Sequence, residues 1–163
     1  MPTSIPIDRA MVILFVCQGN TCRSVMAEAF AKKLFGDLAQ IRSAGLSPQS
    51  KDDAQAAIEC LRDDFDVDAS SHVPRPVTQA DLDAADVIVA MDKGIGRQLD
   101  WVPKRKLTVW KIDDPWRGEA IEYRRCGLAI KKQLGILADQ VRRGGLGTSN
   151  PGLQPTPKFP RKS

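Results

Sequence analysis

The sequence predicts an α/β fold, a single-domain three-layer sandwich in which helices flank a four-stranded parallel sheet. Three observations lead to it. The chain has 163 residues, which is the length of one ordinary domain. Short apolar runs of the kind found in strands buried on both faces recur along the chain. Segments with the apolar spacing of helices separate those runs, and this alternation is typical of a parallel sheet with crossover helices.

Four segments are predicted as strands. Residues 11–16 form an unbroken apolar run, Met-Val-Ile-Leu-Phe-Val, which indicates a strand buried on both faces of a parallel sheet. The other three predicted strands are residues 39–44, 85–91 and 107–112.

Four segments are predicted as helices. Residues 24–35 repeat apolar side chains at helical spacing, and Gly36 is suited to end that helix. The repeating residues are Met26, Ala29, Phe30 and Leu34. The other predicted helices are residues 53–61, 94–99 and 119–143, with an acidic, turn-rich stretch at 63–71. The last helix carries a long apolar face, formed by Cys126, Ala129, Ile130, Leu134, Leu137 and Val141.

The charge balance argues against a nucleic-acid partner. The net charge is +4, from 24 basic and 20 acidic residues. Residues 147–163 carry +3 of this charge, which leaves +1 for residues 1–146. A broad basic face of the kind that binds nucleic acid is therefore not expected.

Composition also predicts the domain organisation. Residues 1–10 are predicted as a short N-terminal extension without the apolar core of a secretory signal, residues 11–143 as the domain, and residues 144–163 as a flexible, proline-rich basic tail. No apolar run approaches the ~18 residues of a membrane span, so no membrane partner is expected. Four cysteines are too few for a disulfide scaffold, which favours a reduced, cytoplasmic setting.

The loop between the first strand and the first helix is the candidate site. It reads Cys17-Gln18-Gly19-Asn20-Thr21-Cys22-Arg23-Ser24. Ligands of parallel sheets bind beyond the carboxyl ends of the strands, and backbone N–H groups at a helix N-terminus bind anions. This loop is therefore expected to hold phosphate or another oxyanion. Because it lacks the lysine of a Walker loop, nucleotide triphosphate binding is not indicated.

The residue types in the loop point to phosphoryl transfer. The surrounding N–H groups and the helix dipole favour the thiolate form of Cys17, which is then a nucleophile aimed at phosphorus. The planar fork of Arg23 can hold two phosphoryl oxygens. Ser24 can donate its hydroxyl to the Cys17 sulfur. Gly19 and Asn20 tolerate the unusual backbone angles of a tight cradle.

Asp114 is the candidate acid for the leaving group. It follows the last predicted strand, in Lys-Ile-Asp-Asp114-Pro115-Trp116, so it is expected at the same edge of the sheet as Cys17. Pro115 stiffens the turn and favours an extended backbone at Asp114. A carboxyl group in this place can protonate the leaving group and later activate water.

These motifs resemble those of the low-molecular-weight protein tyrosine phosphatases, over most of residues 11–143. The resemblance rests on the Cys17–Ser24 loop and on Asp114-Pro115 about ninety residues later. It implies a four-stranded parallel sheet and a two-step phosphatase that uses neither a metal nor another cofactor and acts on phosphorylated proteins. It further implies that Cys17 forms a phosphocysteine, that Arg23 binds the phosphoryl group and that Asp114 is the acid and base.

The resemblance extends to residues outside these two motifs. It implies that Ser43 and His72, together with Ser24, hold Asn20, and that Asp92 stands at a strand end near the site. It also implies that Cys22 can pair reversibly with Cys17, a disulfide that a redox partner would form or reduce. Trp116 stands where an aromatic residue forms one wall of the substrate cleft.

Two departures leave the substrate open. Tyrosine-specific members commonly have a tryptophan after Ser-Ala-Gly, whereas residues 46–50 here read Leu-Ser-Pro-Gln-Ser. Thr21 replaces a bulky aliphatic residue and matches the protein-arginine phosphatase branch. The alternatives to a phosphotyrosine phosphatase are therefore a phosphoarginine phosphatase, a thiol-dependent arsenate reductase that shares the loop, and a module that only binds phosphate.

Overall fold

Four parallel strands form the central sheet of the described residues, as the sequence predicts, and the structure places them in the order β2-β1-β3-β4. The structure is a computed structural model that describes residues 10–144. The predicted extension (1–10) and tail (144–163) lie outside the described residues, apart from residues 10 and 144. The strands are β1 (Met11–Cys17), β2 (Ala39–Gly45), β3 (Val87–Ala90) and β4 (Leu107–Val109).

Within residues 10–144 there are five α-helices and two 3-10 helices, of which the last α-helix follows β4 and the others lie between strands. The α-helices are α1 (Arg23–Phe35), α2 (Gln55–Phe65), α3 (Gln79–Ala84), α4 (Lys93–Arg97) and α5 (Ala120–Arg142), and the 3-10 helices are Gly36–Leu38 and Lys51–Ala54. Helices α1, α2 and α5 pack against one another, α3 contacts β1, and α4 packs against β3 and β4. Of the helices in the described range, none has both the length and the apolar character that crossing a membrane requires.

The core is centred on β1, which confirms the interpretation of its apolar run. Ile13, Leu14, Phe15 and Val16 have no exposed surface, because β1 lies between β2 and β3 and under helices. The register pairs Cys17, the last residue of β1, with Gly45, the last residue of β2. The carboxyl ends of these strands therefore meet at one edge of the sheet.

Helix α3 was not predicted from the sequence. It has six residues, and Leu82 is its only buried apolar side chain, so the sequence shows no repeating apolar pattern that would predict a helix there. Its start carried a readable signal, however, since Thr78 and Asp81 form a capping box. Asp81 N–H donates to Thr78 Oγ1 (3.1 Å), and Thr78 N–H donates to the Asp81 carboxylate (2.9 Å).

Other boundaries and faces differ modestly from the predictions. Helix α2 runs on to Phe65, whose ring packs edge-on against Phe30 with centroids 5.0 Å apart. Strand β4 ends at Val109 rather than at residue 112. Leu34 and Ala129 are predicted on apolar helix faces but are exposed in the structure, although Phe35 and Ile130 next to them are buried.

Candidate active site

The segment after β2 is hydrogen-bonded to the loop that follows β1. Leu46, Ser47 and Gln49 donate their N–H groups to the carbonyls of Cys17, Gln18 and Gly19, at 2.8 to 3.0 Å. Gly45 allows this close approach, since a Cβ there would come within 2.9 Å of the Asn20 nitrogen and the Gln18 oxygen. The loop is therefore held from the side by backbone hydrogen bonds.

The Cys17 sulfur is buried and lies within reach of two donors. The Ser24 hydroxyl is 2.8 Å from it, and the Asn20 N–H donates to it at 3.3 Å. Ser24 Oγ already accepts a hydrogen bond from the Asn20 amide, at 2.8 Å. Its own proton is thus free to point at the sulfur, where it stabilises negative charge.

Asn20 takes a left-handed backbone conformation, with φ of 57°, and its polar groups are all engaged. Its amide nitrogen donates to Ser24 and Ser43, at 2.8 and 3.0 Å. Its amide oxygen accepts from the Arg75 N–H at 3.0 Å, and its carbonyl accepts from His72 Nε2 at 2.8 Å. Ser24, Ser43 and His72 therefore surround Asn20. Gly19 does not use left-handed angles.

Glu28 belongs to this cluster, although sequence reasoning missed it. Ser43 donates to its carboxylate at 2.6 Å, and His72 Nδ1 lies 3.7 Å from the same oxygen. Burial raises the pKa of Glu28, but the nearby His72 ring, the hydrogen bond from Ser43 and the charge of Lys32 outweigh burial and hold that pKa below its usual value. Its position four residues after Ser24 on α1, on the same face, was the available signal.

Arg23 is buried, with one half of its guanidinium group fixed by the protein. Its Nη1 donates to the Asp92 carboxylate at 2.7 Å and to the Ile112 carbonyl at 2.9 Å. Its Nε is buried and has no hydrogen-bond partner within residues 10–144. Burial lowers the pKa of Arg23, but Asp92 and Asp114 raise it by more than burial lowers it. The pKa of Arg23 is therefore above its usual value, and the group stays charged. The edge formed by Nε and Nη2 is left to bind two oxygens of one anion.

Asp92 and Asp114 reach Arg23 from two different strand ends. Asp92 is the N-cap residue of α4, and its side chain also accepts the Ile95 N–H at 2.9 Å. Asp114 lies 3.6 Å from Arg23 Nη2 and accepts the Trp116 N–H at 3.1 Å. Its side chain is 43% exposed, which leaves it open to a ligand. Trp116 is half-buried, and the Arg117 guanidinium lies 5.5 Å from the centre of its ring.

Cys17, Arg23 and Asp114 line one cleft of about 390 Å³. The cleft contains every residue of the predicted loop from Cys17 to Arg23 except Asn20, together with Asp114 and Trp116. Ser47, Pro48 and Gln49 form its remaining wall. Gln49 is the residue that the sequence reasoning passed over here: Thr21 donates its hydroxyl to the Gln49 amide oxygen at 3.0 Å.

The other cysteines are buried and protonated at neutral pH. Cys22 lies 3.5 Å from the Tyr123 hydroxyl, and burial raises the pKa of Cys22 to about 11. Burial likewise raises the pKa of Cys60 and of Cys126 to about 12. The pairing of Cys22 with Cys17 stays a prediction. No group of three or more histidine, cysteine or acidic side chains between residues 10 and 144 is arranged to hold a metal ion.

The comparison with known families gives a clear match. The model of the low molecular weight phosphotyrosine protein phosphatases matches residues 12–145. The chain belongs to this family. Its membership confirms the predicted fold and the resemblance that the loop carries, and it supports a cysteine-based phosphatase.

Relatives within and around the family differ in what they act on. Arsenate reductase 2 from Staphylococcus epidermidis is 32% identical over 120 residues, covering 73% of this chain and 89% of its own. The low molecular weight protein tyrosine phosphatase from T. tengcongensis superposes with a TM-score of 0.72 at 27% identity, covering 80% of this chain and 99% of its own. The YwlE arginine phosphatase from Geobacillus stearothermophilus superposes with a TM-score of 0.72 at 26% identity, covering 82% of this chain and 94% of its own.

Proposed function

We propose that the protein hydrolyses phosphotyrosine on proteins through a phosphocysteine on Cys17. The single observation that carries this proposal is the convergence of three groups on one cleft: a sulfur that accepts two hydrogen bonds, the free edge of a buried guanidinium, and an exposed carboxyl group 3.6 Å from that guanidinium. The half-buried Trp116 offers an aromatic wall for a phenol ring.

The reaction proceeds in two steps. In the first, the Cys17 thiolate attacks phosphorus, the bond from phosphorus to the phenolic oxygen breaks, and Asp114 gives its proton to that oxygen. In the second, Asp114 takes a proton from water, the water oxygen attacks phosphorus, and the phosphorus–sulfur bond breaks. Arg23 holds two oxygens of the phosphoryl group throughout. Phosphate leaves, and the thiolate and the acid are restored.

The test is hydrolysis of aryl phosphates in the presence of a metal chelator. We expect the wild-type protein to be active and Cys17→Ala to be inactive. Asp114→Asn should lose about 10²–10³-fold in kcat, the size of a general-acid contribution. The loss should be greater for phenyl phosphate than for p-nitrophenyl phosphate, because the poorer leaving group needs the proton more.

Two neighbouring substitutions serve as controls. Asp113→Asn changes an exposed carboxyl group next to Asp114, and Cys60→Ala removes a buried thiol on α2, so both should keep wild-type rates. An inactive wild-type protein in chelator would overturn the proposal, and so would full activity of Cys17→Ala.

A second candidate substrate is protein phosphoarginine. It is favoured by the polar pair of Thr21 and Gln49 in the cleft wall, and by the similarity to the arginine phosphatase from Geobacillus stearothermophilus. The steps are the same, with the phosphorus–nitrogen bond broken and Asp114 protonating nitrogen. Parallel assays with phosphotyrosine and phosphoarginine peptides separate the two.

Arsenate reduction is opposed by the positions of the remaining thiols. That reaction needs further cysteines to carry a disulfide away from the nucleophile. Cys60 and Cys126 are buried on α2 and α5, and their pKa values of about 12 keep them as unreactive thiols. We therefore expect no reduction of arsenate with thioredoxin, despite the names of the curated relatives.

A further inference from the structure

The solvent-facing side of α5 carries three large aliphatic side chains. Ile121, Leu128 and Ile136 leave 49%, 52% and 48% of their surfaces exposed. Their spacing of seven and eight residues places them along one side of the helix, over about 22 Å of its length. The opposite side of α5 packs on the core through buried residues such as Ile130 and Leu134. This outer row of Ile121, Leu128 and Ile136 is therefore not explained by the packing of the domain.

Basic side chains alternate with the outer row. Arg125 and Lys132 each stand four residues after a member of the row, so they lie on the same side of the helix. Both are exposed, and neither has an ion-pair partner within residues 10–144. Asp139, an acid on the same side, is already paired with Arg142 at 3.1 Å. The outward side of α5 is thus apolar and cationic at once.

The basic charge of the chain is concentrated toward its C-terminal end. Residues 119–163 hold nine basic and three acidic residues, a net charge of +6, whereas residues 1–118 hold fifteen basic and seventeen acidic residues, a net charge of −2. The sequence after α5 includes Lys-Phe-Pro-Arg-Lys at 158–162, in which cations surround an aromatic residue. The overall +4 is therefore the difference between a strongly basic C-terminal part and a slightly acidic remainder.

Three kinds of partner come into question for this surface, and two of them fit it poorly. A second copy of the chain would bring cations opposite cations, and three half-exposed side chains fall far short of the about 800 Å² per partner that a stable protein interface buries. Nucleic acid would neutralise the cations but leave the aliphatic row against phosphates and water. An anionic lipid bilayer suits both features, because its headgroups attract Lys and Arg while the acyl boundary takes up apolar side chains.

We propose that the outer row and the cations beside it form a surface that binds anionic lipid bilayers. Helix α5 lies along the membrane plane in this arrangement, with the outer row at the acyl boundary and Arg125 and Lys132 at the headgroups. The expectation of no membrane partner rests on the length of a spanning segment, which a helix lying on the surface does not need. No residue of α5 lines the cleft, so this surface is separate from the proposed reaction.

Co-sedimentation of the 163-residue chain with lipid vesicles tests the charged part of the surface. We expect binding to vesicles of equal parts phosphatidylglycerol and phosphatidylcholine, and at least about tenfold weaker binding to pure phosphatidylcholine. Arg125→Gln/Lys132→Gln should weaken binding to the anionic vesicles at least about tenfold, because each cation near such a surface accounts for about fivefold in affinity. Lys104→Gln/Arg105→Gln, an exposed pair before β4, removes the same charge and should bind like the wild type.

The substitution Leu128→Gln tests the apolar part of the surface. It removes one member of the outer row and keeps the charge, and we expect vesicle binding to weaken about fivefold, the effect of leaving a partly inserted aliphatic side chain out of the bilayer. Leu38→Gln, which changes an aliphatic side chain that is 71% exposed on another element, is the matched control and should bind like the wild type. Circular dichroism and thermal unfolding show that each variant is folded.

The outcomes that overturn the proposal are distinct. Undiminished binding by Arg125→Gln/Lys132→Gln would exclude the charged part, and undiminished binding by Leu128→Gln would leave a surface that holds any polyanion. Tighter binding to duplex DNA or to poly-glutamate than to the vesicles would assign the surface to nucleic acid or to an acidic protein. Self-association in the absence of lipid, weakened by Leu128→Gln, would assign it to a second copy. None of these measurements involves turnover, so an inactive protein would overturn the phosphatase proposal and leave this one standing.

Discussion

At the scale of single residues, two distant partners fix the orientation of Arg23. One nitrogen of its guanidinium group is committed to Asp92 and to the Ile112 carbonyl. Of the other two, Nη2 lies 3.6 Å from Asp114, and Nε is buried without a hydrogen-bond partner in the described part of the chain. One side of the planar guanidinium group thus hydrogen-bonds to the protein, and the other side is left to bind an anion. A single ammonium group cannot make both sets of contacts in this geometry.

The substitution Arg23→Lys tests this division of the fork. It keeps the charge but loses the two parallel N–H groups and leaves either Asp92 or the anion without a full set of donors. We expect kcat/KM for an aryl phosphate to fall at least about 100-fold, because charge-assisted hydrogen bonds contribute about 1.5–3 kcal/mol each. Inhibition by inorganic phosphate, measured by titration, should weaken in parallel. Arg42→Lys, on β2, is the control; equal activity of the two variants would contradict the interpretation.

At the scale of elements, the short helix α3 supports the loop from a distance. Asp81 joins its capping box to Arg75 through two hydrogen bonds of 2.7 and 3.0 Å. The backbone of Arg75 in turn donates to the Asn20 side chain. The helix that the sequence analysis missed therefore holds the segment that positions Asn20. The Arg75 hydrogen bonds outweigh burial and lower the pKa of Asp81 to about 2.

Asp81→Asn should lower the free energy of unfolding by about 1–2 kcal/mol at pH 7, from the loss of a charged pair and part of a cap. The pKa of Asp81 is lower in the folded protein than in the unfolded chain, so its contribution is complete above about pH 4 and is lost as the pH falls toward about 2. Denaturant unfolding of both proteins between pH 2 and pH 7 measures this difference. Asp83→Asn, on the exposed side of α3, should show no such trend, and a difference independent of pH would contradict the role of the ion pair.

At the scale of the whole molecule, the candidate site is assembled from the carboxyl ends of every strand. The loop follows β1, Gln49 follows β2, Asp92 follows β3 and Asp114 follows β4. Helix α1 packs against β1 and β2, and α1, α2 and α5 meet at Gly127, Phe30 and Phe65. The Lys131 ammonium lies 5.4 and 5.6 Å from the centres of the two rings.

Two glycines of α5 provide a matched test of this packing. A Cβ at Gly127 would come within 2.7 Å of the Phe65 ring, whereas one at Gly135 meets nothing within 4 Å. Gly135→Ala should stabilise the protein by up to about 1 kcal/mol through helix propensity. Gly127→Ala gains the same propensity but overpacks the contact, at a cost of about 1–3 kcal/mol, and should be destabilising or neutral. Thermal and denaturant unfolding give both values, and equal stabilisation would show that the contact is loose.

Much of the fold and the anion-binding loop of the site could be predicted from the sequence, because the residues that determine them are close together in the chain. The apolar run of β1 predicts a strand buried on both faces, and the run of small and polar residues after it predicts an anion loop at a helix start. Asp114 could be placed at the same edge, since parallel strands end together. Helix α3 could not be predicted from periodicity, because six residues with one buried apolar side chain carry too little pattern.

The tertiary structure alone decided which distant groups surround the local motif. Glu28 looks like an ordinary helix residue in the sequence, and only the tertiary structure brings Ser43 and His72 from other elements to its carboxylate. Nothing in the sequence around Gln49 marks it as a site residue; the backbone hydrogen bond from Gln49 to Gly19 brings its side chain to Thr21 only in the folded chain. Which edge of Arg23 stays free depends on Asp92 and Ile112, more than sixty residues away in the chain. The sequence by itself determined a cysteine-centred phosphate loop on a parallel sheet, because strand, loop and helix follow one another there. The contacts that orient this loop and shape its cleft form only when the tertiary structure brings the ends of the four strands together.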